Sequence, residues 1–202
     1  MVKKTVITIC VSILSLINFS FAQASQKNRL YIDIHILHPG SVTASDVASA
    51  HAKDLAVQEK HGVRFLKYWV DEKAGTIYCL SSAPNSASIA DTHNEAHGLL
   101  PQQVYAVTEG AAANEISGLP FFLDIHNLGE GKVTAAAVAT AHKKDLAVQK
   151  KFGVYFINYW VCEEKGIVFC LSQTKSKSKI SETHKSAHGL IPAMIVPVIQ
   201  GK

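Results

Sequence analysis

An ungapped internal repeat constrains this chain more than any other feature. Asp33-Ile-His35 returns 91 residues later as Asp124-Ile-His126, and the same offset carries Ala50-His51 to Ala141-His142. It also carries Asp54-Leu-Ala-Val-Gln58 to Asp145-Leu-Ala-Val-Gln149, Tyr68-Trp69-Val70 to Tyr159-Trp160-Val161, and Cys79-Leu80-Ser81 to Cys170-Leu171-Ser172. His97-Gly98-Leu99 closes the series at His188-Gly189-Leu190. A period this long exceeds that of solenoid repeats, so the chain reads as two whole small domains. They span residues 29–109 and 120–202, joined by the glycine- and alanine-containing stretch 110–119. A linker of about ten residues reaches about 30 Å when extended, enough to dock the copies beside each other.

Residues 1–24 read as a signal peptide. Lys3 and Lys4 precede the uncharged apolar run Thr5 to Phe21, and Ala22-Gln23-Ala24 offers the small-x-small cleavage pattern near Ala22 or Ala24. Cys10 follows Ile9, where a lipoprotein cysteine needs a small residue before it. The expectation is a periplasmic or secreted protein that leaves the membrane after cleavage. Loss of the two lysines takes the formal charge from +4 to +2 (4 − 2). That is too mild and too scattered for a nucleic-acid or lipid surface. The three remaining cysteines, Cys79, Cys162 and Cys170, give no disulfide framework.

Each copy predicts the order βαββαβ. Leu30 to Leu37 alternates as a strand, and Thr43 with Asp46 three residues on marks a helix start. That helix runs toward His61 and stops at Gly62. Val63 to Asp71 and Thr76 to Ser82 form a strand pair, Ser86 to His97 a second helix, and Gln102 to Thr108 a last strand. This is the split-βαβ order of a ferredoxin-like sandwich, which leaves one sheet face bare. The predicted fold class is therefore α+β: two tandem ferredoxin-like sandwiches packed sheet to sheet as an intrachain pseudo-dimer.

Eight of the ten histidines fall in duplicated pairs: 35/126, 51/142, 93/184 and 97/188. On the first helix the repeated residues, among them Val47, His51, Asp54, Leu55 and Gln58, share one side at about 100° per residue. On the second, Ile89, Thr92, His93 and His97 share another. Asp33 and His35 are two apart on a strand and so face one way. We expect them to face the helices, with Ile32, Ile34 and Ile36 on the opposite side. The candidate ligand set is His35, His51, Asp54, His93, His97 and Asp33, repeated as His126, His142, Asp145, His184, His188 and Asp124. Imidazoles with carboxylates suit nickel, copper, zinc or cobalt better than calcium or magnesium. Such a set can equally form a buried hydrogen-bond network that only fixes helix packing.

The string A-H-x-x-D-L-A-V-Q, Y-W-V, C-L and H-x-x-x-H-G resembles a family of small bacterial nickel-binding proteins, mostly catalogued as a domain of unknown function. The resemblance implies a ferredoxin-like fold, docked domains and nickel as the first metal to test. This chain departs from the single-domain form by being duplicated and by carrying an export signal. The expected function is sequestration or buffering of a divalent ion. Two alternatives stand beside it: a metal-dependent or His/Asp-based enzyme, and a non-catalytic scaffold. No Gly-rich phosphate loop, G-x-S-x-G elbow or C-x-x-C pair supports an enzyme.

Overall fold

The computed structural model describes residues 27–202, so the expected signal peptide at 1–24 lies outside the described residues. The first half runs β1 (Arg29–Ile36), α1 (Ala44–Val57), β2 (Arg64–Asp71), β3 (Thr76–Ala83), α2 (Ser86–Ala96) and β4 (Gln103–Glu109). The second runs β5 (Phe121–Asn127), α3 (Ala135–Phe152), β6 (Tyr155–Cys162), β7 (Ile167–Gln173), α4 (Ser178–Ala187) and β8 (Met194–Gly201). Among these helices none is long and apolar enough to cross a membrane.

Local chemistry explains the element ends. Thr43 accepts from the Asp46 backbone N–H at 3.2 Å, and Asp46 accepts from the Thr43 N–H at 2.9 Å, a complete capping box. The first helix ends in a short 3₁₀ turn, Gln58–His61, and leaves through Gly62 at φ 68°. The side chain of Gln58 then accepts from the Phe65 N–H at 2.8 Å, beside the bulge in β2; Gln149 does the same for Phe156 at 2.9 Å. That explains why this glutamine recurs.

The expected pair of separate sandwiches packed sheet to sheet does not form. All eight strands close one antiparallel barrel in the order β1, β3, β2, β8, β5, β7, β6, β4. The seams lie between the halves: Tyr68, Trp69 and Val70 of β2 pair Gly201, Gln200 and Ile199 of β8, while Thr108 and Glu109 of β4 pair Val161 and Trp160 of β6. The reason is edge satisfaction. Two four-stranded sheets stacked face to face would leave four edges with unpaired N–H and C=O groups; closing the barrel leaves none. The last residues of β4 and β8 overhang their own sheets and make the join.

The bare sheet faces become the barrel interior. Ile32, Ile34, Trp69 and Leu80 meet Leu123, Ile157, Trp160 and Leu171 there, and the two tryptophan rings lie 5.0 Å apart. Strand alternation sends the neighbouring side chains outward, so Asp33, Tyr68 and Cys79 lie beneath the helices. At the seams, a Cβ on Gly110 would lie 2.0 Å from the Tyr159 ring and one on Gly201 2.1 Å from the Tyr68 ring. We expect Gly110→Val with Gly201→Val to cost about 1–3 kcal/mol per seam, because each new side chain overlaps a buried tyrosine ring. Urea denaturation measures this; an unchanged midpoint would show that the seams do not hold the barrel together.

Candidate metal centre

Five side chains from three segments meet between the outer face of the first sheet and its helices. Asp33 and His35 come from β1, Asp54 from α1 and His93 from α2, all buried. His97 is the C-cap of α2, with φ −155°, so the helix ends one residue earlier than its histidine spacing suggests. Its backbone N–H still reaches the His93 carbonyl, at 3.0 Å, which keeps the ring over the cluster.

The donors form two groups around the His93 ring. On one side Asp54 Oδ1, His93 Nδ1 and His97 Nε2 make a triangle with sides of 3.0, 3.3 and 3.2 Å. On the other, Asp33 Oδ1 lies 3.4 Å from His93 Nε2 and 3.2 Å from His35 Nε2. The second half repeats both. Asp145 Oδ1, His184 Nδ1 and His188 Nε2 are 3.0, 3.2 and 3.1 Å apart, and Asp124 Oδ1 lies 3.3 Å from His184 Nε2 and 3.2 Å from His126 Nε2.

His51 and His142 are not brought into these groups. Their rings lie 4.9 Å from Tyr68 and 4.6 Å from Tyr159, in the wall of a cavity beside the cluster. Cys79, absent from the candidate ligand set, does join: it groups with Asp33 and His35. It stands directly across the β1–β3 ladder from Asp33, as Cys170 does from Asp124. The repeated cysteine was the only signal, and strand register alone turns it into proximity. Burial, with the charges of Asp33 and Asp54, pushes its thiol well above the ordinary range, so in the metal-free protein it is neutral.

Electrostatics make His93 the pivot. Burial alone would lower its pKa, but Asp33 and Asp54 on either side outweigh burial and raise it to about 9. His184 matches it, at about 9 between Asp124 and Asp145. Burial would raise Asp33, yet the His35 and His93 rings outweigh it and hold the carboxyl below its usual range. Both ring nitrogens lie within 3.4 Å of Asp33 Oδ1, although neither meets the angle of a directed hydrogen bond. Desolvation lowers His97 and His188, which are therefore neutral at pH 7.

These residues fit a borderline divalent ion. Ligand atoms held about 2.0–2.1 Å from one ion lie about 2.9–3.4 Å apart at right or tetrahedral angles, the spacing of the Asp54/His93/His97 triangle. The Asp33 and Asp124 carboxylates are fully buried with no hydrogen bond to any oxygen, which leaves lone pairs to offer.

Fold and site define a class first: two His/Asp clusters, related by duplication, on the outside of one fused α+β barrel. The chain belongs to the family described as "Nickel responsive protein SCO4226-like", which it matches twice, over residues 31–107 and 122–198. It is similar to SCO4226 from Streptomyces coelicolor A3(2), at 32% identity over 37% of this chain and 90% of that one, with a TM-score of 0.35. A mutant chlorite dismutase from Candidatus Nitrospira defluvii shares the fold alone. At 6% identity it aligns over 87% of this chain and 93% of its own, with a TM-score of 0.50. No curated protein sequence matches the chain.

Proposed function

We propose that this protein is exported and binds a divalent borderline ion, nickel first, at one His/Asp cluster in each half, to sequester or buffer it. The observation that carries this reading is the triangle of Asp54, His93 and His97 donors, 3.0–3.3 Å on a side, together with its copy at Asp145, His184 and His188. Asp33, His35 and Cys79 flank it in the first half and Asp124 and His126 in the second. A bound ion would supply positive charge to two buried carboxylates and cross-link α1 to the end of α2. Zinc, copper and cobalt share the donor preference and are the competitors to test.

Binding has to displace protons. His93 carries two at pH 7, and the Leu99 N–H donates to His97 Nδ1 at 3.1 Å, which places the proton of neutral His97 on Nε2. Titration calorimetry of untagged protein with nickel, in two buffers of different ionisation enthalpy, should show at least one ion per half and release of about one to two protons per ion at pH 7.5. Affinity should fall as pH drops through about 9, where His93 and His184 take up their second proton, and should keep falling into acid. No affinity tighter than about millimolar for nickel, copper or zinc ends the proposal. Mass spectrometry of the secreted chain, starting just after Ala22 or Ala24, tests the export half.

A second reading has an observation of its own. The imidazolium of His93 clamped between Asp33 and Asp54, with Leu99 satisfying His97, is already a closed charge arrangement that can fix helix to sheet without metal.

A further inference from the structure

Between the first helix of each half and the sheet beneath it lies a cavity of about 170 Å³ in the first half and about 160 Å³ in the second. One side of it is aliphatic and the other is formed by the His/Asp cluster. Val42, Val47, Ala50 and Ile77 line the first, and Val133, Val138, Ala141 and Val168 line the second at the same offset. An apolar void forfeits the packing contacts of every side chain around it. Other positions of this helix have changed freely between the halves, as Ala52 to Lys143 and Glu59 to Lys150 did. None of the four wall positions has grown to fill the space, and Ile77 has shrunk to Val168.

A second observation points into the same space. His51 and His142, 6% and 7% exposed, stand in the walls of the two cavities. The cluster's hydrogen bonds run through His93 and His97, and among the described residues none reaches a ring nitrogen of His51. His142 is in the same position beside His184 and His188. The ring nitrogens of both are unpaired among the described residues but not sealed from solvent, so they are free to take a ligand in the cavity they line. The space sets the size: an apolar cavity of about 150 Å³ accepts a single six-membered ring. Charge sets the head group. Asp54 and Asp46 line the first cavity with no lysine or arginine, which disfavours an anion there, while the second sets Asp145 against the single cation of Lys132.

We propose that each half binds a small neutral ring compound of the phenol class, its ring against Val47 and Ile77 (Val138 and Val168) and its hydroxyl on the His51 (His142) imidazole. Neither histidine belongs to a donor group, although the cavities share walls with the clusters: Asp54, His93 and His97 line the first, and Asp145, His184 and His188 the second.

The test uses 4-fluorophenol, followed by fluorine NMR, on the whole chain after dialysis against EDTA. Saturable binding of two equivalents is expected, with fluorobenzene and 4-fluorobenzoate at least about 10-fold weaker, the worth of one hydrogen bond. Ala50→Leu with Ala141→Leu should abolish it, with Val47→Met and Val138→Met as the replacement pair if the first does not fold. His51→Leu with His142→Leu should weaken 4-fluorophenol about 10-fold and leave fluorobenzene unchanged. No saturation by about 10 mM, binding untouched by the filled cavities, or fluorobenzene binding as tightly as the phenol overturns the proposal. Because the sample is metal-free, failure here leaves the nickel reading standing, and failure of nickel binding leaves this one standing.

Discussion

Replacing His93 and His184 together by alanine is expected to abolish nickel uptake and to lower the melting temperature of the metal-free protein sharply. Each ring stands between two buried carboxylates, with nitrogen–oxygen distances of 3.0 and 3.4 Å in the first half and 3.0 and 3.3 Å in the second. Removing the cation strands both anions out of water, a loss of about 3–5 kcal/mol for a broken buried pair. In a protein of this size that is about 10 °C or more per half. His97→Ala with His188→Ala is the informative contrast. Those rings are neutral, partly exposed, and sit at helix ends. Their loss should weaken nickel at least about 100-fold, beyond the range typical of a merely supporting residue, while barely moving the melting temperature. Calorimetry and thermal denaturation on the same samples read both. If the His97 and His188 pair lowers the melting temperature but leaves nickel binding intact, the clusters are structural networks and the metal reading falls.

The second large effect is a stability profile that runs opposite to the usual loss in acid. In the unfolded chain a histidine titrates near 6.5, whereas folded His93 and His184 hold their protons to about 9. A raised pKa gives stability that is complete below about 6.5 and disappears as pH climbs through about 9. At about 1.4 kcal/mol per unit, the loss is at most about 3–4 kcal/mol per half, shared between the ring and its two carboxylates. Asp33 and Asp124 are held below their ordinary value of 3.8. Their contribution is present above that value and is lost as pH falls through the lower folded one. His51, His97, His142 and His188 work the other way, because values lowered by burial cost stability as pH falls below about 6.5, so the metal-free protein should be most stable near pH 6.5. Nickel should reverse the alkaline slope, because an ion competes best where the histidines give up their protons easily. Thermal melts from pH 5 to 10, in EDTA and in nickel, make the comparison. A metal-free melting temperature that is flat or rising between pH 7 and 9 would mean that His93 is not clamped as the geometry indicates.

Some of the site was legible because it depends on short-range periodicity. Two residues of separation on β1 is enough to put Asp33 and His35 on one face, and they do lie under the helices while Ile32 and Ile34 enter the core. Helical spacing placed Val47, His51 and Asp54 inward. The same reasoning misplaced Leu55 and Leu146, repeated but 41% and 38% exposed, since recurrence in two copies does not by itself mean burial. His51 and His142 share a helix face with Asp54 and Asp145, yet a face is wider than a ligand shell. Their rings lie against Tyr68 and Tyr159 instead, outside both donor groups.

The sequence by itself determined that there are two equal halves, which strands and helices each contains, and which polar side chains point toward the helices. All of that follows from a fixed offset and from repeats of two and 3.6 residues along the chain. The tertiary structure alone decided that the halves share one barrel, that Cys79 lies beside Asp33, and that His93 is the ring with a carboxylate on each side. Barrel closure is made by backbone N–H and C=O groups, which every residue but proline carries alike, so no side-chain pattern announces it. Which imidazole stands between two carboxylates depends on distances of about an ångström between segments up to 60 residues apart, as from Asp33 to His93, and those distances exist only once the sheet has closed.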